Sequence, residues 1–94
     1  MSFHLRLIEI EMYLPYVSSA ASLHKALGAL GQRCKHQPNL ALTIEPFYST
    51  DRGRFALVLL GTDRIRVEQD CTQLIDWIEA QLVGQTLATE MIWL

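Results

Sequence analysis

One arrangement occurs twice within the 94 residues of this chain and limits its fold more than any other feature: a strand, an amphipathic helix-length stretch, and another strand. The first occurrence begins with "LIEIEMYLP", which alternates apolar and polar side chains. That period of two puts Ile8, Ile10 and Met12 on one face and Glu9 and Glu11 on the other. The strand covers about Phe3 to Leu14 and stops at Pro15, which has no N–H to give to a ladder. "YVSSAAS" follows, with Ser19 and Ser22 as helix-capping candidates. "LHKALGALGQRCKHQ" then spaces Leu23, Ala26, Leu27, Leu30 and Cys34 as one helical stripe, ended by Pro38. Gly28 and Gly31 beside that stripe imply either close packing on a sheet or local flexibility.

The second occurrence starts with "NLALTIEPFYS", a strand that Pro46 assigns to an edge. The polar turn "TDRG", with Gly53 free to adopt a positive φ, leads into "RFALVLLG", whose continuous apolar run marks a central strand. Asp63 caps a second helix with the stripe Val67, Cys71, Leu74, Ile78 and Leu82, and Gly84 is expected to close it in the left-handed region. "QTLATEMIWL" is the last strand.

The order is β-α-β-β-α-β. With right-handed crossovers it gives a four-stranded antiparallel sheet in spatial order 4-1-3-2 with two helices on one face. This is an α+β ferredoxin-like sandwich, one domain over residues 1–94. The helices cover Ile8, Ile10 and Met12, so the open face carries Phe3, Leu5, Leu7, Glu9, Glu11 and Tyr13. Alternation adds Thr43, Glu45 and Phe47. Such a face is too apolar to be purely solvated and is expected to be an interface. Met91 and Trp93 of the last strand join it, with Glu9 and Glu11 at the rim to meet a cation of a partner. A one-residue slip of strand one would exchange the two faces.

Half of the residues are hydrophobic and 19% are charged, which is globular composition. A net charge of −2 offers no broad electrostatic grip on nucleic acid or anionic membrane. No run reaches the roughly 20 apolar residues of a membrane span. "MSFHLRLIEI" interrupts its apolar run with His4 and Arg6, unlike a signal peptide. Cys34 and Cys71 lie far apart, each in a helical pattern, as two core thiols of a reduced cytoplasm would.

The motifs of chemistry are missing. His4, His24 and His36 have no Cys or carboxylate at a ligand spacing, so no metal site and no cofactor is expected. There is no phosphate-cradling glycine loop, no G-x-S-x-G and no C-x-x-C. Small acylphosphatases share the fold and length, but their loop should stand near "YLPYVSSAA" and does not. The Glu9 and Glu11 pair suits a wet strand face better than acid–base work or a hard cation. "RGRFALVLL" matches the signature strand of RNA-recognition motifs at Arg52 and Gly53, but Arg54 and Leu57 stand where stacking aromatics are needed. Basic residues cluster loosely at Lys25, Arg33, Lys35 and His36, and at Arg52, Arg54, Arg64 and Arg66. Of these, Lys25, Arg33, Lys35, Arg52 and Arg54 are the candidate nucleic-acid contacts.

Three stretches carry a family resemblance: "MYLP" at Met12 to Pro15, "SLHKAL" at Ser22 to Leu27, and "FALVLLGTDRIRVEQ" at Phe55 to Gln69, with "TEMIWL" closing the chain. They resemble the small bacterial proteins grouped as domain of unknown function 503, which include the YlxP-like proteins. Of that family's basic "SLKEKR", this chain keeps Ser22, Leu23 and Lys25, after an insertion at "YVSSAA". The resemblance implies a ferredoxin-like fold, no established enzyme activity, no agreed catalytic residues and an association with ribosome or RNA. The expected function is thus a non-catalytic binding or assembly protein, a homodimer formed through the open face or an edge strand. The alternatives are an RNA- or ribosome-associated factor and an ACT-like small-molecule sensor.

Overall fold

The alternation of the first strand is realised in the computed structural model, which describes residues 2–94, as β1 (His4–Tyr13). There follow α1 (Ala20–Ala26), α2 (Gly28–Lys35), β2 (Leu40–Ile44), β3 (Arg52–Gly61), α3 (Arg64–Gln81) and β4 (Gln85–Trp93). The strands form one antiparallel sheet in the order β2-β3-β1-β4, as expected from the sequence. The two apolar strands β1 and β3 are central, and β2 ends at Ile44, two residues before Pro46. Strands of nine and ten residues stretch the domain to 45 × 24 × 22 Å.

One core lies between the sheet and the helices. Ile8, Ile10 and Met12 of β1 and Phe55, Leu57 and Leu59 of β3 meet Leu23, Leu27 and Leu30 from the first helical region and Val67, Cys71, Leu74 and Ile78 from α3. Ser19 caps α1 reciprocally with Ser22: Ser22 N–H donates to Ser19 Oγ at 3.2 Å, and Ser19 N–H to Ser22 Oγ at 2.9 Å. Asp63 caps α3 by accepting from Ile65 and Arg66 N–H.

Among the described residues three helices, rather than two, cover the sheet. The stripe from Leu23 to Cys34 is continuous in sequence, yet α1 ends at Ala26 and α2 starts at Gly28. Leu27, at φ −97° and ψ 11°, is at once the C-cap of α1 and the N-cap of α2. Gly28 and Gly31 each weaken a helix by about 1 kcal/mol relative to Ala, so this is where a bend costs least. A Cβ at either glycine would meet nothing within 4 Å, which rules out close packing as their role.

Two other glycine expectations are corrected. No glycine among the described residues has a positive φ. Gly84 follows a C-cap, Leu82, in extended conformation, and it is needed because a Cβ there would run into the Tyr13 carbonyl oxygen. Gly53 lies inside β3, where a Cβ would sit 2.8 Å from Leu23 Cδ1 and 2.9 Å from Leu14 Cδ1. The left-handed residue of that turn is Asp51, at φ 60°. No helix among the described residues is long and apolar enough to cross a membrane.

Candidate functional site

Cross-strand register assigns every sheet side chain to a face, because directly paired residues point the same way. Ile8 pairs with Leu57 and Ile10 with Phe55 on the helix side. The residues between them point away from the helices: Leu5 beside Leu60, Leu7 beside Val58, Glu9 beside Ala56, and Glu11 beside Arg54. β2 adds Ala41 and Thr43 to this open face, and β4 adds Ile92 beside Leu7, Glu90 beside Glu9 and Ala88 beside Glu11.

The open face is divided along the length of its strands. The half at the start of β1 is apolar, formed by Leu5, Leu7, Val58, Leu60 and Ile92. At its end lie Phe3 and Leu94, 66% and 68% exposed. The other half is charged. Arg54 Nη1 lies 3.4 Å from Glu45, Arg52 Nη1 lies 3.8 Å from Glu11, and the Tyr48 hydroxyl donates to Glu11 Oε2 at 2.9 Å. Exposed pairs of this kind orient side chains more than they stabilise the fold. Four carboxylates (Glu9, Glu11, Glu45 and Glu90) thus stand against two guanidinia. Glu9 and Glu90 are directly opposite and enter no ion pair among the described residues.

Of the residues expected at an interface, Leu5, Leu7, Glu9, Glu11 and Tyr13 are on the open face, and Phe3 precedes it. Thr43 and Glu45 are there as well. Met91 and Trp93 are not: they pair with Ile8 and Arg6 and lie on the helix side. The cause is a bulge. Glu11 faces Ala88 while Met12 faces Thr86, so Leu87 is an extra residue and the alternation of β4 changes parity there. Ile92 and Glu90 take the places assigned to Met91 and Trp93. Phe47 also leaves the open face and packs against the core.

The five basic residues considered for nucleic acid do not form one surface. Arg52 and Arg54 are on the open face, ion-paired with carboxylates. The Arg33 guanidinium lies 4.7 Å from the Trp77 ring centroid, and its Nε donates to Gln37 at 3.2 Å. Lys25 and Lys35 stand on α1 and α2. The structure assembles a different cationic group. Arg6 and Arg64 place their guanidinium carbons 4.4 and 4.5 Å from the Trp93 centroid, with His4 edge-on to the same ring. Arg6 Nε is buried with no hydrogen-bond partner among the described residues, beneath the same guanidinium that faces the Trp93 ring. Sequence spacing carries no sign of this cluster, which joins β1, β4 and the first residue of α3.

Burial pushes the Cys71 thiol up, opposed by Arg6, and burial likewise pushes up Cys34, opposed by Arg33. Tyr48 is raised by desolvation and by its hydrogen bond to Glu11. No cluster of three or more His, Cys, Asp or Glu among the described residues is placed to hold a metal ion. Compared with protein-family models and with curated proteins, the chain finds no match.

Proposed function

We propose that this protein is a non-catalytic binding and assembly module of the cytoplasm, ferredoxin-like in fold and akin to the domain of unknown function 503 family, that joins a second copy of itself through its sheet. One observation carries the reading. The apolar half of the open face runs without interruption from Leu60 and Val58 through Leu5 and Leu7 to Ile92 and Leu94 at the edge of β4. A contiguous apolar surface that reaches a free strand edge points to association at that edge. Its charged half has an excess of carboxylates, which favours protein contact over a phosphate backbone.

Molar mass by light scattering at low and high salt tests the reading. A dimer that persists in high salt is the expected result, since apolar burial is not screened. A monomer at every concentration and salt refutes self-association. The RNA or ribosome reading has less support, because Arg52 and Arg54 are already paired with Glu11 and Glu45. It predicts binding that weakens steeply with salt.

A further inference from the structure

Building on that reading, we propose that two copies join along the outer edge of β4, antiparallel and centred on Met91, so that two four-stranded sheets become one sheet of eight strands. The hydrogen-bond phase of β4 identifies the free groups. Leu94 N–H donates to the Leu5 carbonyl at 2.9 Å. In an antiparallel ladder the bonding alternates, so Ile92 and Glu90 also direct their amides to β1, and Thr89, Met91 and Trp93 direct theirs outward.

This edge lacks the devices that keep edges apart. Between Thr89 and Trp93 there is no proline, lysine or arginine, and Glu90 is the one charge. The bulge at Leu87 lies beyond this run, toward the start of the strand. Met91 and Ile92, on opposite faces of the strand, are 42% and 41% exposed, so both faces of the edge have apolar surface to bury. The opposite edge, β2, is only five residues long and is followed by Pro46.

Charge, the bulge and the bounds of β4 then choose the register. A two-fold axis at Glu90 would oppose two carboxylates across the new ladder. An axis at Thr89 would pair Met91 with Leu87 of the other copy, at the bulge. An axis at Ile92 would set Thr89 opposite a position beyond β4, which ends at Trp93. An axis at Met91 pairs Met91 with itself and Thr89 with Trp93, which uses every outward amide. It also sets Glu90 opposite Ile92 rather than against its own copy.

The test uses the full chain in five variants, with mass by light scattering and fold by circular dichroism. Met91→Lys puts a charge on the axis, and Met91→Pro removes only an outward N–H, a place where an edge strand tolerates proline. A folded Met91→Lys chain is expected to fall from the mass of two chains to one, and Met91→Pro likewise. Leu7→Glu, on the open face, is expected to remain a dimer. The double variant Glu90→Cys/Ile92→Cys is expected to give a covalent dimer on oxidation, whereas Glu90→Cys alone is not. A wild-type monomer would overturn both this inference and the reading beneath it. A wild-type dimer that survives Met91→Lys but is broken by Leu7→Glu overturns the edge alone. Ready cross-linking of Glu90→Cys alone overturns the register.

Discussion

Glu9 and Glu90 face each other across β1 and β4 with no cation paired to either, and this opposition has a measurable cost. The cationic side chain Arg54 lies in the neighbouring strand, but its guanidinium is 3.4 Å from Glu45. Directly opposed side chains on adjacent strands have Cβ atoms about 5 Å apart, and flexible carboxylates separate to roughly 6 Å. Two unit charges at that distance repel by about 0.7 kcal/mol in water. Glu9→Gln and Glu90→Gln should each stabilise the fold by about that amount, and the double variant should gain little more. Urea unfolding of the four proteins at one protein concentration gives the coupling directly, free of other effects of each substitution. For a domain of this size the single variants should melt about 3–6 °C higher. In 1 M salt, where the screening length is about 3 Å, the gain should largely vanish. A coupling of zero at low salt, or one that survives 1 M salt, would show that the two carboxylates do not oppose each other as the register requires.

Two further outcomes follow from the core. Gly84→Ala should destabilise the protein by about 1–3 kcal/mol or more in urea unfolding, because the new methyl group meets backbone of β1 rather than a side chain that can turn away. Cys71 should resist an aromatic disulfide reagent in the native protein at pH 8 and react once urea unfolds it, since burial holds the thiol neutral. The same shift has a sign in stability. Below pH 9, the ordinary value of the thiol, folded and unfolded chains both keep the proton; above it the unfolded chain ionises first, so stability should fall as the solution is made more alkaline. An alkaline denaturation series on the wild type and Cys71→Ala checks this, and equal slopes would refute it.

The face of β1 was legible because a period of two leaves Ile8, Ile10 and Met12 no alternative that buries them together, and the strand order followed from crossover handedness and the place of Pro46. What escaped the sequence depends on single-residue events. The bulge at Leu87 changes which side of β4 faces the open surface, and no local residue pattern announces it. The break at Leu27 leaves the apolar stripe intact, so periodicity alone reads one helix. Trp93 between Arg6 and Arg64 is a meeting of residues up to 87 positions apart, which only the sheet register brings together.

The break between α1 and α2 also decides which part of the molecule opens first. Seven and eight residues are too few for a helix to persist alone in water. Each of these helices is held by a single fully buried side chain, Leu23 in one and Leu30 in the other, whereas α3 has four such residues along eighteen. Native-state amide exchange should therefore run through α1 and α2 by a sub-global opening, while β1, β3 and α3 exchange only when the whole domain unfolds. That opening would lift a cover from Leu42, Ile44 and Gly53, so the weaker half of the sandwich is the half beneath which new surface can transiently appear.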